Sequence, residues 1–311
     1  MSALGKKPFM NSIDLSIVIV TYNSENLIEE CIDSIYNTTK KTSVEVVVSD
    51  NSENDNTEAV LKKLQKKYAS LSFIHNKDNL GFSKANNIGI KKTSGTILLF
   101  LNPDTKVYEN TIDGMYEFML SHENAGAATC FVELPNKKLD DSAHRGFPTP
   151  WNSFAHFTYL ARLFPKVKLF TGYNLTYLGY THVHEIDACA GSFMLVPRSV
   201  GEKLGWWDED YFFYGEDLDF CFRIKEIGKK IYFVPEFGAL HYKGVSSGIK
   251  KVSKGMTEAS KNTVDRATNA RFEAMEIFYR KHYRNRYPSF VKYLVLMGIK
   301  TKWYLAKLQN R

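Results

Sequence analysis

The first hundred residues of the chain alternate between short apolar runs and segments with helical periodicity. Residues 15–20 are rich in β-branched side chains and predict a buried strand, and residues 44–49 and 71–75 predict two more. Between these runs, apolar residues recur at helical spacing over about 25–36 and 57–68. This alternation predicts an α/β fold with a mostly parallel central sheet that is flanked by helices.

An acidic residue follows the next apolar run, Leu98–Leu101, in the tripeptide Asn102–Asp104. An ordinary core has no use for a carboxylate at the end of a buried strand. In open α/β sheets the ligand binds beyond the carboxyl ends of the strands, where Thr21 and Asp50 are also expected. We therefore predict that Asp104 binds a metal ion that holds a nucleotide diphosphate.

Composition narrows the class of protein. The chain has 311 residues, of which 44% are hydrophobic and 24% charged, and this indicates a large α/β domain with or without an appendage. The net charge of +7 suits an anionic ligand or an acidic membrane surface. The four cysteines are widely spaced, so neither a zinc knuckle nor a disulfide framework is indicated. A protein of this kind is typical of a reducing cytosol. No segment predicts a signal peptide or a spanning helix, so we expect a cytoplasmic protein, soluble or peripheral at the inner face of the membrane.

The first strand-to-helix turn argues against several nucleotide-binding classes. Residues 21–26 read Thr-Tyr-Asn-Ser-Glu-Asn and contain no glycine. A dinucleotide-binding domain carries Gly-x-Gly-x-x-Gly at this turn, and a P-loop carries its own glycine-rich sequence. A sugar nucleotidyltransferase also needs a glycine-rich loop after the first strand. All three classes are therefore poor matches.

Several motifs occur in an order that resembles the family 2 glycosyltransferases. They are Val20–Asn23, Asp50–Ser52, Asn79–Phe82 with Asn86–Gly89, Leu101–Thr105, Asp187–Ser192, Trp206–Asp219 and His241–Gly244. The chain is most similar to the dTDP-rhamnosyltransferase branch, in which Asn-Pro-Asp replaces the usual Asp-x-Asp. The resemblance implies the nucleotide-diphospho-sugar transferase (GT-A) fold.

The same resemblance divides the chain. Residues 1–12 are expected to be a flexible leader, and residues 13–248 the GT-A domain. Within that domain, 13–105 would bind the nucleotide and about 106–248 the acceptor. Residues 249–311 form the expected C-terminal helical extension, which is basic. The acceptor part is rich in aromatic residues, which suit sugars or lipid-linked chains and equally suit plain packing.

The family pattern assigns a divalent cation, Mg²⁺ or Mn²⁺, to Asp104 and His241, where it would neutralise the charge of the leaving diphosphate. We expect His241 after a strand over 231–234 and a turn at Pro235. Asn102 stands in place of the family's first acid, so the cation is expected to be held more weakly. Strict metal dependence is therefore left open.

The residues expected to bind the nucleotide-sugar are Thr21, Tyr22, Asn23, Asp50, Asn51, Gly81, Phe82, Asn86, Asn102 and Asp104. Asp50 is expected to accept hydrogen bonds from the base or the ribose. A turn-forming role is its open alternative. For residues 79–90 the alternative is a helix cap in a packed turn.

Three acids, Glu216, Asp217 and Asp219, cluster at the predicted start of a helix. By resemblance, Asp217 is the general base that takes the acceptor proton in a displacement with inversion, and Glu216 orients the acceptor or the base. Acids in a first turn also complement the helix dipole, and this purely structural role is the alternative. The residues expected at the sugars are Gly191, Ser192, Trp207, Tyr214 and Gly215.

The resemblance implies an inverting glycosyltransferase that moves rhamnose from dTDP-rhamnose to a hydroxyl of a cell-surface polysaccharide or a lipid-linked glycan precursor. UDP-glucose, UDP-galactose and UDP-N-acetyl sugars are alternative donors. A non-catalytic carbohydrate-binding scaffold is the alternative function.

The end of the chain suggests a further partner. No acid occurs after Glu276, and basic and aromatic residues interleave over this stretch. This pattern suits an anionic membrane surface, with a solvated appendage or a homodimer contact as the alternative. Nucleic acid is disfavoured because no recognition motif accompanies the charge.

Overall fold

The computed structural model describes residues 13–243 and 261–309. The predicted leader, residues 1–12, lies outside the described residues. So do residues 244–248 at the end of the predicted GT-A domain and residues 249–260 at the start of the predicted extension.

The N-terminal half alternates between strands and helices as predicted. Its strands are β1 (Leu15–Thr21), β2 (Val44–Asp50), β3 (Leu71–His75) and β4 (Ile97–Leu101), and its helices are α1 (Ile28–Thr38), α2 (Asn56–Lys67) and α3 (Phe82–Ile90). The four strands pair in parallel in the order β3-β2-β1-β4.

The apolar run of β4 is buried on both sides of the sheet. Leu99 and Leu101 belong to the apolar cluster on one face, and Leu98 and Phe100 belong to the cluster on the other. A parallel strand that is covered on both faces needs apolar residues at every position, which explains why the run is continuous rather than alternating.

Between β4 and Phe278, the described chain adds five strands and six α-helices. They are β5 (Thr105–Val107), α4 (Thr111–Ser121), β6 (Ala125–Glu133), α5 (Pro150–Phe157), α6 (Leu160–Leu163), β7 (His184–Ile186), β8 (Phe193–Pro197), α7 (Arg198–Leu204), α8 (Glu216–Glu226), β9 (Lys230–His241) and α9 (Lys261–Phe278). The sheet has the order β3-β2-β1-β4-β8-β6-β9-β5, with β7 paired to β9. Only β5, β7 and β8 run against the other six of its nine strands. The predicted α/β fold with a mostly parallel sheet is therefore confirmed.

Strand direction brings distant motifs to one edge of the sheet. Thr21, Asp50 and His241 end the parallel strands β1, β2 and β9. Strand β8 runs the opposite way, so Ser192, which precedes it, also lies at this edge. The Asn102 N–H, just after β4, donates to the Ser192 carbonyl at 3.2 Å.

Strand β9 is longer than the sequence predicts. The expected turn at Pro235 is wrong, because β9 continues to His241. Its pairing with β6 shifts register between Val234 and Gly238, and this irregularity accommodates a proline, which has no N–H to donate. The longer strand pairs His241 with Thr105 of β5, directly beside Asp104.

The C-terminal segment consists of α9, a π-helical turn (Tyr279–Tyr283) and α10 (Ser289–Gln309). Phe278 and Tyr283 are each 3% exposed and pack with Tyr211 and Phe222 of the main body. Helix α9 is therefore part of the folded unit and not a solvated appendage. Within the described ranges, no helix has the length and apolar content to cross a membrane. Binding of α10 to a membrane surface or to a second chain stays a prediction.

Candidate active site

A cavity of about 1530 Å³ opens along the sheet edge that carries the motifs. The predicted site residues on its wall are Thr21, Tyr22, Asn51, Gly81, Phe82, Asn102, Asp104, Gly191, Ser192, Tyr214, Gly215, Glu216, Asp217 and His241. Members of all three predicted groups, for the nucleotide, the sugars and the cation, therefore face one continuous space.

Four predicted site residues do not lie on this wall: Asn23, Asp50, Asn86 and Trp207. Asp50 is fully buried, and Asn86 and Trp207 are at most 2% exposed. Asn86 donates to the Phe82 carbonyl at 3.0 Å within its own helix. Asn23 is exposed outside the cavity. The buried side chains of Asp50, Asn86 and Trp207 therefore do not reach the cavity, whereas the contact predicted for Asn23, which lies between Tyr22 and Ser24 of the wall, stays a prediction.

Asp50 instead fixes the turn beneath the cavity. Its Oδ1 accepts hydrogen bonds from Thr21 Oγ1 at 2.8 Å and from the Ser52 hydroxyl at 2.6 Å, and Oδ2 lies 2.9 Å from His75 Nδ1. The Ser52 N–H also donates to Oδ1, which is the local turn that short acidic side chains favour. The carboxylate ties together the ends of β1, β2 and β3, so the turn-forming alternative describes it better.

Gly81 serves a close approach between two backbone segments. It precedes α3 with φ of +80°, and a Cβ at this position would lie 2.6 Å from the Phe212 carbonyl oxygen. The N–H of Phe82 donates to the same oxygen at 3.0 Å. The glycine thus joins the nucleotide side of the cavity to the aromatic segment 211–214, as expected of a packed turn.

Asp104 and His241 form the first of two charged centres. His241 Nε2 lies 3.2 Å from Asp104 Oδ1, and Nδ1 lies 3.0 Å from Asp140 Oδ2. Asn102 Nδ2 is 3.4 Å from the same Nε2. Lys243 pairs with the other oxygen of Asp140. Asp104 and His241 are 2% and 5% exposed, so this centre is almost dry.

The charges of this centre depend on one another. Burial lowers the pKa of His241, but the carboxylates of Asp104 and Asp140 outweigh that effect and raise it to about 9. Burial raises the pKa of Asp140, yet His241 and Lys243 together hold it well below its usual range. A histidine that binds a metal usually donates its other ring N–H to a carboxylate. With Asp140 accepting from Nδ1, loss of the Nε2 proton would let the imidazole present Nε2 together with Asp104 Oδ1, so these residues fit a divalent cation that displaces this proton.

The second centre lies at the start of α8, after Gly215, whose φ is +84°. Asp217 Oδ2 accepts a hydrogen bond from Arg145 Nη2 at 2.5 Å, and Oδ1 accepts one from the Leu218 N–H at 2.7 Å. Burial lowers the pKa of Arg145, but the charge of Asp217 more than compensates and raises it. The carboxylate of Asp217 is therefore fixed in direction while facing the cavity.

The third acid of the cluster has a structural role. Asp219 is 1% exposed, and its carboxylate pairs with Arg223 Nε at 2.7 Å and with His282 Nε2 at 2.7 Å. It thereby links the π-helical turn to the first turn of α8, which carries Asp217.

Glu216 lies in a different environment from Asp217, although the two are adjacent. It is 8% exposed, and its Oε2 has no hydrogen-bond partner among the described residues. Burial and the charge of Asp217 raise the pKa of Glu216 to about 8. Two neighbouring carboxyl groups in different environments are the arrangement used where one accepts a proton and the other donates a hydrogen bond.

The raised pKa of Glu216 makes a stability prediction. Between its ordinary pKa of 4.5 and about 8, the unfolded chain releases this proton while the folded chain keeps it, so folding stability falls as pH rises through this window. We expect the Tm of Glu216→Gln to equal that of the parent protein near pH 4.5 and to lie a few degrees above it at pH 9. Differential scanning calorimetry across this range measures the difference, and a constant difference would contradict the prediction.

Three polar residues of the site were not assigned from sequence: Asp140, Arg145 and Lys243. Asp140 and Arg145 lie in a segment without a clean period, and each acts on a residue far along the chain. The backbone of Arg145 also pairs with that of Ala188, which lies inside one of the predicted motifs. A charged residue whose partner lies far along the chain cannot be recognised from the residues next to it in the sequence.

Comparison with known proteins identifies the family. Residues 16–179, more than half of the chain, match glycosyl transferase family 2. The rhamnosyltransferase WbbL of Escherichia coli K12 is 27% identical over 236 residues, which cover 73% of this chain and 82% of that protein. An N-acetylglucosaminyl-diphospho-decaprenol L-rhamnosyltransferase of Mycobacterium tuberculosis H37Rv is 26% identical over 246 residues, 75% and 78% of the two chains.

Solved structures share the fold at lower identity. GalNAc-T7 with UDP, GalNAc and Mn²⁺ superimposes with a TM-score of 0.58 at 17% identity, over 87% of this chain and 50% of that chain. Staphylococcus aureus TarS 1–349 with UDP-GlcNAc gives 0.53 at 18% identity, over 92% and 71%. These likenesses confirm the expected GT-A fold. By sequence and fold together, this chain belongs to glycosyl transferase family 2 and is a glycosyltransferase.

Proposed function

We propose that the protein transfers rhamnose from dTDP-rhamnose, with inversion, to a hydroxyl of a cell-surface polysaccharide or a lipid-linked glycan precursor. The main support is that one cavity contains both the Asp104–His241 pair and the carboxylate of Asp217. Transfer from a nucleotide-sugar needs charge neutralisation at the leaving diphosphate and a base at the acceptor. The two rhamnosyltransferase relatives support the choice of sugar.

A divalent cation, Mg²⁺ or Mn²⁺, would be held by Asp104 and His241. The carboxylate–histidine pairing of Asp140 and His241 supports this ligand set, as does the Mn²⁺ in the GalNAc-T7 structure. A cation bound there would neutralise the negative charge that develops on the leaving diphosphate. Asn102 contributes no charge, so the cation would be bound weakly without the nucleotide.

The residues at the second centre would perform the proton transfer. The acceptor hydroxyl gives its proton to Asp217 as its oxygen bonds to the anomeric carbon, and the bond from that carbon to the diphosphate breaks on the opposite face. Arg145 and the Leu218 N–H occupy one position on each carboxylate oxygen and leave others for the proton. Glu216, whose pKa is raised by burial and by the charge of Asp217, would donate a hydrogen bond to an acceptor oxygen and so orient it.

Nucleotide binding provides the direct test of this function. Isothermal titration with dTDP, UDP and GDP should show the tightest binding for dTDP, weakened about tenfold or more when EDTA removes Mn²⁺. Among nucleotide-sugars, dTDP-rhamnose should be hydrolysed fastest. Tightest binding of UDP with hydrolysis of a UDP-hexose or a UDP-N-acetyl sugar would instead assign one of the alternative donors. Absence of binding by all three nucleotides would contradict the proposed site.

A further inference from the structure

The cavity continues past the catalytic carboxylates toward the C-terminal helices. Phe154 and Phe157 of α5 line it on one side, and Leu294, Gly298 and Leu305 of α10 line it on the other. Its volume of about 1530 Å³ exceeds the roughly 300–1,000 Å³ of most small-molecule sites. A bound nucleotide-sugar would therefore leave the space between α5 and α10 free.

This far part of the cavity is apolar and opens to the surface. Four apolar side chains both line the cavity and remain about half exposed, namely Phe154 (52%), Leu294 (54%), Met297 (48%) and Leu305 (51%). A contiguous exposed apolar patch is uncommon on a soluble surface unless something binds there. Because the patch forms the open end of the cavity, a chain longer than the cavity can leave through it.

Gly298 keeps this space open. It lies inside the 21-residue helix α10, where glycine is less favourable than alanine by roughly 1 kcal/mol. A Cβ built on Gly298 would meet no atom within 4 Å. The position therefore needs no glycine for backbone packing, and a larger side chain there would fill the groove without a clash at its base.

Two cations line the same space. Arg271 of α9 and Lys302 of α10 both face the cavity, and neither forms an ion pair within residues 13–243 and 261–309. Lys302 Nζ lies 3.7 Å from the ring centre of Phe157, across the groove. Burial and the charge of Arg271 lower the pKa of Lys302. The charge of Arg271 also opposes the effect of burial on the pKa of Tyr214, which precedes the catalytic acids in the chain. Two like charges between the catalytic loop and an apolar groove suit an anionic group.

We propose that the groove between α5 and α10 binds the hydrocarbon chain of a lipid-linked diphosphate acceptor, with Arg271 and Lys302 at its phosphates. This inference rests on the proposed function, because it places the acceptor sugar at Asp217. A purely polar acceptor would have no use for the apolar exit. The groove thus selects the lipid-linked acceptor over a finished polysaccharide, and it orients the sugar by holding both the phosphates and the chain.

Farnesyl diphosphate is a suitable probe, with the full chain, Mn²⁺ and saturating dTDP present so that the donor site is filled. We expect calorimetry to show about tenfold or tighter binding of farnesyl diphosphate than of inorganic diphosphate, because only the former buries a chain. Gly298→Phe should weaken farnesyl diphosphate binding about tenfold, while the matched Gly298→Ala should change it less than about twofold. Lys302→Ala should weaken binding of both diphosphates.

Several outcomes would overturn the proposal. Equal affinity for the two diphosphates, or unchanged farnesyl diphosphate binding in a folded Gly298→Phe variant, would mean that the groove does not hold the chain. A concentration-dependent dimer that Gly298→Phe disrupts, without farnesyl diphosphate binding, would assign the groove to a second copy. Titration of dTDP into each variant separates this result from failure of the proposed function: intact dTDP binding with no lipid binding refutes only the acceptor site.

Discussion

Asp217→Asn is expected to lower the turnover of sugar transfer by about a thousandfold while leaving nucleotide affinity within about twofold. Asparagine has nearly the shape of aspartate, and its amide oxygen can still accept the Leu218 N–H that now lies 2.7 Å from Oδ1. It cannot take a proton from the acceptor hydroxyl. A single-turnover assay measures the chemical step, and titration with dTDP and Mn²⁺ measures binding.

Two other substitutions give this experiment its controls. Asp210→Asn removes an exposed carboxylate that pairs with Lys281 and lies just before the aromatic segment 211–214. This substitution should leave turnover unchanged. Glu216→Gln keeps a hydrogen-bond donor at the position of a protonated carboxyl group, so we expect a loss well below that of Asp217→Asn. If Asp217→Asn turned over near the parent rate while Glu216→Gln did not, the base would be Glu216.

The fold was predictable where local pattern and tertiary environment agree. The apolar residues at the centres of β1, β2 and β4 are buried on both faces of the sheet, so each of them carries the same signal. Strand β9 was predicted too short because Pro235 reads as a turn when only the local sequence is considered. The register shift that accommodates this proline depends on pairing with β6, about a hundred residues earlier. Local sequence contains no record of that pairing.

The site was predictable at the level of motifs and less so at the level of contacts. Asp104 lies between β4 and β5, His241 ends β9 and Asp217 lies in the first turn of α8, and all three face the cavity. Asp50 and Trp207 belong to the same motifs but hold the wall from behind. A motif does not distinguish a residue that contacts the ligand from one that supports the cavity wall, because both roles require a particular residue type.

The cation centre supports the second prediction with a large effect. Asp104→Asn is expected to weaken Mn²⁺-dependent nucleotide binding by about tenfold or more and to lower turnover by about a hundredfold or more. Asp104 is 2% exposed beside His241, and the neighbouring Asn102 supplies no charge that could replace the lost carboxylate. Titration of Mn²⁺ at fixed dTDP, followed by calorimetry, measures the first effect, and the single-turnover assay measures the second.

Asn102→Asp is the matched variant, because it adds a carboxylate where Asp104→Asn removes one. The side-chain amide of Asn102 lies 3.4 Å from His241 Nε2, so an aspartate there would face the same cation as Asp104. We expect Mn²⁺ to bind about tenfold tighter to this variant in the presence of dTDP. Opposite effects of the two substitutions would locate the cation between Asn102, Asp104 and His241. Equal Mn²⁺ affinity in both variants and the parent would mean that the diphosphate is neutralised elsewhere, for example by Lys243 or Arg145, which also lie on the cavity wall.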